Sequence, residues 1–394
     1  MSYKKVKISD IGKIVSGATP KTKDVDNYGG SIAWITPADL SGYTSKYISH
    51  GSRNITQKGY DSCSTHLMPR GTVLFSSRAP IGYVAIAENP ICTNQGFKSI
   101  VPNDDIDSEF LYYQLQYLRK KIQEKGSGTT FKEISGKVLG ETDIVVPSLE
   151  EQSRIVARIE ELFSELDKAV DTLKTTKEQL AVYRQAVLKD AFSCLPETVE
   201  MDKIADMIDP QPSHRTPPEY ENGIPYIGIG DIDYQNKKIN FEDARKVSPE
   251  VLDEHLHRYT IHKGDFVMGK IGTIGKPYKI PDEQNYALSA NVILIQPNKE
   301  KIYPEFLFWQ FSSSLVTKQL TLGAKATSQP AFGIKKARLL SIKICELEKQ
   351  FKIIKRLEAE MSCCDNIEKT VDAALAQADA MRQSILKQAF EGKL

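Results

Sequence analysis

The sequence lacks several features that would place it in a specialised class of protein. Its 52 Lys and Arg are balanced by 51 Asp and Glu, so the net charge is only +1 and a surface that is basic all over is excluded. No apolar run approaches the roughly 20 residues that a membrane-spanning helix needs. The first ten residues, MSYKKVKISD, contain no apolar signal core. We therefore expect a cytoplasmic protein that does not enter a membrane.

Cysteine and histidine are too scattered to predict a metal site. None of the six cysteines forms a C-x-x-C pair, and we interpret them as reduced thiols. His255 and His257 stand two residues apart, a spacing that could hold a metal on a strand, but no further Cys or His lies beside them. This pattern favours the interpretation of both histidines as solvent-facing polar residues.

Catalytic motifs are missing as well. GKIGTIGKP (269–277) has the wrong spacing for a phosphate-binding loop, and Pro277 stands where a Ser or Thr would hold Mg²⁺. IGIGD (227–231) lacks the third Gly of a dinucleotide-binding turn. TPPEY (216–220) has Thr216 where the Asp/Asn-Pro-Pro-aromatic loop of amino-methyltransferases needs Asp or Asn. We expect a chain that is non-catalytic by itself.

The most informative positive feature is an internal repeat. RQAVLKDAF (184–192) returns as RQSILKQAF (382–390), at an offset of 198 residues. Earlier pieces match more loosely, for example SIAWITPADL (31–40) with GIPYIGIGDI (223–232). The repeat predicts two copies of one fold whose helical parts are alike and whose other surfaces are directed at different targets.

Each copy ends in a stretch with heptad periodicity, which predicts two long helices at 148–193 and 348–391. Mostly apolar residues recur every seven positions in two rows of the first stretch, namely Ile155, Leu162, Ala169, Thr176 and Tyr183, and Ile159, Leu166, Leu173, Leu180 and Val187. The second stretch repeats the pattern with Ile353, Leu357, Cys364, Ile367, Val371, Ala374, Ala378, Met381 and Ile385. One interpretation is that the helices only pack onto the globular parts. The other, which we favour, is an antiparallel pair that acts as a spacer.

The remaining parts of each copy consist of short strand-like pieces, turns and one clear helical stretch, at 109–125 and 305–320. We predict an α+β fold with two similar domains, each with a curved, mostly antiparallel sheet, separated by two long antiparallel coiled-coil helices and related by a pseudo-two-fold axis. The predicted boundaries are 1–147 for the first domain, 148–196 for the central helix, 197–346 for the second domain and 347–394 for the C-terminal helix.

Over essentially its whole length the chain resembles the specificity (S) subunits of type I restriction–modification systems. The most specific strings are IVVPSLEEQSRIVARIEELFSELD (144–167), its echo IKICELEKQFKIIKRLEAEMSCCD (342–365), and the paired RQAVLKDAF and RQSILKQAF. The second copy departs from the family pattern, since DPQPSHRTPP (209–218) replaces a Gly-x-Thr-Pro piece and Cys345 stands at the place of Pro147.

The resemblance implies that both domains are target-recognition domains, each of which reads one half of a bipartite, asymmetric double-stranded DNA site. Among the polar loop residues we predict DNA contacts by Lys21, Ser77, Arg78, Asn94, Gln95, Thr129, Thr130 and Lys132 in the first domain. In the second domain we predict contacts by Ser213, Arg215, Lys270, Thr273, Asn291, Lys325, Thr327 and Gln329.

The resemblance also implies partner subunits that carry the chemistry. Two modification (methyltransferase) subunits would dock beside the helices, and restriction (translocase and nuclease) subunits would join through them. S-adenosylmethionine, ATP and Mg²⁺ are expected in those subunits and no cofactor in this chain. For the modification subunits we predict contacts by the repeated helix ends, namely Arg184, Gln185, Lys189, Phe192, Arg382, Gln383, Lys387 and Phe390. The alternative for these residues is that they seat the helices on the neighbouring domain.

Two other functions remain open at the level of sequence. One is a coiled-coil scaffold with two protein-binding heads and no role on DNA. The other is the specificity chain of a different type of DNA methyltransferase. DNA binding with a steep salt dependence would argue against the scaffold.

Overall fold

The structure is a computed structural model that describes residues 4–78, 80–128, 132–323 and 331–394. The chain divides into two compact units. Unit 1 consists of Met1–Leu173 and Ala373–Leu394, and unit 2 consists of Lys174–Asp372. Each unit therefore contains one globular head together with a segment of each long helix.

Unit 1 begins with an α+β head. Its strands are β1 (Lys4–Lys7), β2 (Gly12–Ser16), β3 (Tyr28–Ile32), β4 (Trp34–Ile35), β5 (Tyr47–Ile48), β6 (Val73–Phe75), β7 (Val84–Ala87), β8 (Cys92–Thr93), β9 (Lys98–Pro102) and β10 (Asp143–Val146). Its helices are α1 (Ile8–Ile11), α2 (Gln57–Asp61), α3 (Ser108–Glu124), α4 (Gly136–Gly140) and the long α5 (Leu149–Ser193), which continues into unit 2.

The main sheet of unit 1 has the strand order β2-β9-β6-β7-β5, and every pair is antiparallel except β5 with β7. All three residues of β6 are buried, which is typical of a central strand covered on both faces. Helix α3 packs on this sheet because Phe110, Leu111, Leu115 and Ile122 repeat along one face. Two small pairs, antiparallel β1–β10 and parallel β4–β8, lie beside this sheet, and β3 forms isolated antiparallel bridges with Ile55.

Unit 2 repeats this plan. Its strands are β11 (Glu197–Glu200), β12 (Ala205–Ile208), β13 (Ile224–Ile227), β14 (Ile232–Asp233), β15 (Lys238–Ile239), β16 (Lys246–Val247), β17 (Phe266–Gly269), β18 (Pro277–Lys279), β19 (Ala287–Leu288), β20 (Val292–Pro297) and β21 (Ser341–Ile344). Its helices are α6 (Pro249–Arg258), α7 (Pro304–Phe311), α8 (Ser314–Gly323), α9 (Ile334–Ala337) and the long α10 (Leu347–Phe390), which ends in unit 1.

The sheets of unit 2 are also mostly antiparallel. The order β12-β20-β17-β18 is antiparallel throughout, whereas β13 lies between antiparallel β16 and parallel β19. The parallel pair β13–β19 corresponds to β4–β8 of unit 1. The predicted α+β fold, with a repeated head and mostly antiparallel sheets, is confirmed, while the four domain boundaries stay a prediction.

The helical stretch predicted at 305–320 is wrong as one continuous helix, because it is broken into α7 and α8. The hydroxyl of Ser312 donates to the carbonyl oxygen of Phe308 at 3.0 Å, and that of Ser313 donates to the carbonyl oxygen of Gln310 at 2.6 Å. Such local bonds compete with the helical pattern and end it. The single helix predicted for the first copy is observed as α3.

The two long helices form as predicted and run antiparallel within each unit. In unit 2, Lys177 pairs with Asp372 at 2.7 Å and Arg184 pairs with Asp365 at 2.7 Å, so numbers rise along α5 as they fall along α10. In unit 1, Arg382 pairs with Asp167. Arg382 and Asp167 are the repeat equivalents of Arg184 and Asp365, so each unit contains the same ion pair between its two helix segments.

Only one of the two predicted apolar rows is closed along the helices. Leu357, Cys364, Val371, Ala378 and Ile385 are all buried, at intervals of seven residues. In the other row, Tyr183 is 50% exposed, Ile367 40% and Met381 45%, so the prediction of a double-row seam is wrong at these positions. Two helices that pack through one row leave the second row without a partner, as happens when the pair belongs to a larger helical bundle.

Within the described ranges, no helix has both the length and the apolar composition that a membrane crossing requires. All six cysteines are free thiols.

Candidate nucleic-acid interface

In unit 1 the polar loops are joined by backbone hydrogen bonds at the ends of short strands. The amide of Ser77 donates to the carbonyl oxygen of Gly96 at 2.7 Å, and the amide of Ile134 donates to that of Ser77 at 2.9 Å. The amide of Asn94 donates to the carbonyl oxygen of Ile35 at 2.9 Å. Three loops that are distant in sequence therefore meet at one place.

In unit 2 the corresponding residues make the same bonds. The amide of Lys270 donates to the carbonyl oxygen of Asn291 at 2.8 Å, and the amide of Phe332 donates to that of Lys270 at 2.9 Å. The amide of Ser289 donates to the carbonyl oxygen of Ile227 at 2.8 Å. The two heads thus share a loop frame although the side chains on the loops differ.

A further loop of unit 1, residues 16–23, is held from behind by aromatic donors. The indole N–H of Trp34 donates to the carbonyl oxygen of Ala18 at 3.0 Å, and the hydroxyl of Tyr28 donates to that of Pro20 at 2.9 Å. The two rings contact each other edge to face, with centroids 6.0 Å apart. Bonds to the carbonyl groups fix the path of the loop, and Lys21, Thr22 and Lys23 remain exposed.

The equivalent loop of unit 2, residues 211–218, is held by a chain of hydrogen bonds. The amide of Leu288 donates to the hydroxyl of Tyr259 at 3.2 Å, and this hydroxyl lies 2.7 Å from Nδ1 of His255. Nε2 of His255 lies 3.0 Å from Oε1 of Gln211, whose amide donates to Oγ of Ser213 at 3.0 Å. A neutral His255 protonated on Nε2 fits this chain, since its Nδ1 can then accept from the Tyr259 hydroxyl and its Nε2–H can donate to Gln211.

His255 is therefore not solvent-facing as its sequence context suggested. It lies on α6, is fully buried, and has a pKa that burial and nearby Arg258 lower to about 4. His257, on the same helix, is exposed and bonds the carbonyl oxygen of Asp253. Among the residues that the structure describes, no group of three or more metal-ligating side chains occurs.

Lys270 and Ser77, both predicted to contact DNA, are buried. Nζ of Lys270 lies 2.6 Å from Oδ2 of Asp209, which precedes loop 211–218, and the hydroxyl of Ser77 donates to the carbonyl oxygen of Gly96 at 3.1 Å. A buried cation that is paired in this way is costly to separate. We therefore assign both residues to holding the loops rather than to surface contacts.

Most of the other predicted DNA contacts lie on the loops and reach solvent. Lys21, Gln95, Lys132, Ser213, Arg215 and Thr273 are exposed, and Arg78, Asn94 and Asn291 are half-buried. Oδ1 of Asn94 accepts the Gly96 amide at 2.9 Å, and Oδ1 of Asn291 accepts the Ile229 amide at 3.0 Å, so both side chains also shape their loops. Thr129, Thr130, Lys325, Thr327 and Gln329 lie outside the described residues.

A small group of charges borders the loops of unit 1. Arg78 and Lys98 both lie 4.0 Å from Glu133, so one carboxylate stands between two cations. Burial, with a further effect of Arg78, lowers the pKa of Lys98. Two cations that share a single carboxylate leave this edge of the loop cluster with a positive balance.

The predicted partner contacts at the helix ends divide into three kinds. Phe192 and Phe390 are buried against the heads, with ring centroids 5.3 Å from Phe306 and 5.4 Å from Phe110. Arg184 and Arg382 are committed to ion pairs within the helix pair. The remaining residues, Gln185, Lys189, Gln383 and Lys387, are exposed.

An open groove lies on α10 in unit 2, beside the exposed Ile367. It is lined by small and polar residues on one helical face and has a volume of about 500 Å³. The lining residues are Ala359, Ser362, Cys363, Asn366, Ile367, Thr370 and Val371. Small side chains of this kind allow close approach of another helix.

Sequence reasoning missed several residues that shape the interface. Asp39 and Asp231 stand at equivalent positions, where each carboxylate accepts a backbone amide three residues earlier, at 2.7 Å from Thr36 and from Gly228. Arg53 was missed too, although R-N-I (53–55) aligns with R-K-V (245–247) in the repeat. The alignment of 31–40 with 223–232 matches Asp39 with Asp231 but gives them no role, and its extension to 53–55 and 245–247 finds Arg53.

Comparison with known proteins agrees with this geometry. A family profile described as "Type I restriction modification DNA specificity domain" matches residues 2–180 and 196–377. The EcoBI specificity subunit of Escherichia coli is 24% identical over 421 residues, covering 100% of this chain and 86% of that protein. The MjaIX specificity subunit of Methanocaldococcus jannaschii is 44% identical over 188 residues, 47% of this chain and 43% of that protein.

Solved structures show the same fold. A chain from a structure on complex assembly and conformational transition of the type I R-M system has a TM-score of 0.76 at 17% identity and covers 100% of this chain and 98% of that chain. The HsdS subunit from Thermoanaerobacter tengcongensis has a TM-score of 0.56 at 18% identity, with 100% and 97% covered. Because the profile matches both halves of the sequence, the chain belongs to the type I restriction–modification DNA specificity family.

Proposed function

We propose that this chain is the DNA-recognition subunit of a type I restriction–modification complex and that each head reads one half of an asymmetric, bipartite site. The observation that carries this proposal is the shared loop frame. Equivalent backbone bonds join the loops at Ser77 and at Lys270, while the side chains beyond them differ. A constant frame with variable side chains suits two readers of different sequences.

The exposed loop residues supply the chemistry that duplex DNA requires. Lys21 and Lys132 would contact phosphates and make binding sensitive to salt, without sequence preference. Gln95 and Arg215 can form paired hydrogen bonds with base edges, and Thr273 can contact either a phosphate or a base edge. Sequence preference therefore rests on few side chains in each head.

The modification subunits would dock on the helices. Support comes from the repeated, exposed Gln185, Lys189, Gln383 and Lys387, which would offer like contacts to two identical partners. Within unit 2, the exposed Tyr183 and Ile367 add apolar surface on which further helices can pack. S-adenosylmethionine-dependent methylation and ATP-dependent translocation and cleavage would belong to the partner subunits.

The test is DNA binding and methylation by the complex of this chain with its modification partner. For a duplex that carries the methylated site, the logarithm of the binding constant should fall steeply and linearly with the logarithm of the salt concentration. Sequencing of methylated genomic DNA should show one bipartite motif with two different halves. A flat salt dependence and no methylated motif would instead support the scaffold alternative, and a motif without any ATP-dependent partner would support the other type of methyltransferase.

A further inference from the structure

Arg53 of unit 1 lies on a segment whose backbone is fixed beside the candidate interface. The amide of Ser52 donates to Oδ1 of Asp39 at 2.8 Å, while Oδ2 of Asp39 accepts the amide and the hydroxyl of Thr36 at 2.7 Å each. Burial raises the pKa of Asp39, but the bonds from Ser52 and Thr36 outweigh it and the pKa is lowered. The carboxylate therefore stays charged at neutral pH and holds Ser52 in place.

The guanidinium of Arg53 lies over the ring of Tyr28. The guanidinium carbon is 3.5 Å from the ring centroid, and the hydroxyl of the same tyrosine holds the carbonyl oxygen of Pro20. Arg53 therefore shares its support with loop 16–23, which carries the exposed Lys21. Stacking on an aromatic face fixes the plane of the guanidinium and lowers the entropy lost when its N–H groups bind.

The N–H groups of Arg53 are available for a ligand. Within the described ranges, no carboxylate lies within 4.0 Å of its guanidinium and no hydrogen bond from it is formed, although the residue is exposed. In unit 1, Arg78 faces Glu133 at 4.0 Å, and the guanidinium of Arg119 lies over the ring of Tyr83.

The equivalent residue of unit 2 shows how this position differs between the heads. Ile32 pairs with Ile55 in unit 1 as Ile224 pairs with Val247 in unit 2, so Arg245 occupies the place of Arg53. Nε of Arg245 donates to the carbonyl oxygen of Pro217 at 3.2 Å, and its Nη1 lies 3.9 Å from Glu219. Arg245 thus holds its own loop, whereas Arg53 does not.

We propose that Arg53 is a specificity-determining residue of unit 1 that reads a guanine through two N–H groups directed at O6 and N7. This inference rests on the proposed function. A planar guanidinium with five donors matches the paired acceptors of guanine in the major groove, and no other base presents that pair. Because the guanidinium lies over Tyr28 and its N–H groups form no hydrogen bond within the described residues, two of them are free to act as these donors.

The test compares Arg53→Ala, Arg53→Lys and Arg70→Ala in the complex with the modification partner. Arg70 is also exposed, but it precedes Gly71, which is bonded to Ala87 and Ser108 on the side of α3, so it serves as the matched control. Competition binding is measured on duplexes in which every base pair of the wild-type half-site is changed in turn, at two salt concentrations.

We expect Arg53→Ala to lose preference for one G·C pair by about tenfold to a hundredfold, with preferences at all other pairs kept. Arg53→Lys should lose most of the same preference while it keeps the wild-type salt slope, since a lysine keeps the charge but not the planar fork. Arg70→Ala should behave as wild type.

Three results would overturn the inference. Equal weakening on all duplexes with a shallower salt slope would make Arg53 a phosphate contact, and unchanged binding would remove it from the interface. Loss of preference in the half-site read by unit 2 would place it in the wrong head. If the wild-type complex itself shows no sequence preference, the proposed function fails together with this inference, whereas the first three results leave the proposed function intact.

Discussion

At the scale of single residues, His255 illustrates how a buried side chain can hold a loop of the candidate interface. It links Tyr259, in the core of unit 2, to Gln211 on the exposed loop. Burial keeps it neutral, with a pKa of about 4 against an ordinary value of 6.5. Between these two values the unfolded chain takes up a proton that the folded head excludes, so stability falls as the pH falls.

We predict that His255→Gln reduces the loss of stability of unit 2 in acid. A shift of one pKa unit corresponds to about 1.4 kcal/mol, so acidification from pH 7.5 to pH 5.0 should cost the wild type about 2 kcal/mol at this group. Urea unfolding at the two pH values, followed by hydrogen exchange of peptides from α6 and β19, measures the difference. Equal acid sensitivity in both proteins would show that His255 does not titrate as inferred.

Phe192 and Phe390 are a second case at this scale, because each ends a helix and enters a core. Phe192 packs on Phe306 in unit 2, and Phe390 packs on Phe110 in unit 1. Each long helix therefore begins next to one head and ends in the core of the other unit. These two phenylalanines therefore fit the alternative interpretation, in which the repeated helix ends seat the helices on the heads.

We predict that Phe192→Ala destabilises unit 2 and Phe390→Ala destabilises unit 1, each by about 3–5 kcal/mol, since a large buried ring leaves a cavity. Hydrogen exchange should rise in peptides of 197–346 in the first variant and in peptides of 1–147 in the second. Val182→Ala, at a position 71% exposed on α5, is the control and should leave both heads unchanged. Increased exchange in the opposite head would contradict this assignment.

At the scale of elements, the two long helices relate recognition by the heads to the spacing between the two halves of the DNA site. They have 45 and 44 residues, which at about 1.5 Å per residue gives lengths of about 68 and 66 Å. We propose that this length sets the gap between the two half-sites. Because Lys177 pairs with Asp372 and Arg184 with Asp365, segments 177–183 and 366–372 face each other within unit 2.

We predict that deletion of 177–183 together with 366–372 shortens the gap and keeps both half-sites. Seven residues of each helix are removed, two turns of a coiled coil, so Arg184 still meets Asp365 in register. At about 1.5 Å per residue and 3.4 Å per base pair, the gap should shrink by roughly three base pairs. Sequencing of methylated DNA reads the motif directly.

The control for this deletion is the removal of 177–183 alone, which shifts the register by two turns and should abolish methylation. A double deletion that methylates the original motif with an unchanged gap would exclude helix length as the determinant. The exposed residues Tyr183, Ile367 and Met381 show what the sequence does not determine at this scale. Heptad spacing predicts which positions are apolar, but the packing of the two helices decides which row forms the contact between them.

At the scale of the whole molecule, the repeat predicts that the heads are interchangeable modules. The loop frame is the same in both, and each head is entered and left by antiparallel strands, β1 with β10 and β11 with β21. A module with its ends side by side can be replaced without a change in the helices that flank it.

We predict that replacement of 199–346 by the corresponding domain of another specificity subunit changes one half of the methylated motif only. Phe192, Ile354 and Leu357 belong to the helices, so the donor domain must keep the aromatic and apolar residues that pack on them. The half-site read by unit 1 and the gap should be unchanged. A motif altered in both halves would show that the heads do not read independently.

The sequence by itself determined the repeat, the two long helices, the α+β heads and the family. These properties follow from periodicity and from strings that recur at a fixed offset, and both are local enough to be read without coordinates. The exposed candidates Lys21, Lys132 and Arg215 also followed from the sequence, since connecting loops run over the protein surface.

Only the tertiary structure decided which polar residues are available to a ligand. Lys270 and Arg215 are both cations on loops of unit 2, yet Lys270 is buried against Asp209 and Arg215 is exposed. Arg53 became a candidate only when Tyr28 was found beneath it. Pairing and burial depend on residues far away in the chain, and the free energy of a charged group is set by those neighbours rather than by its own type.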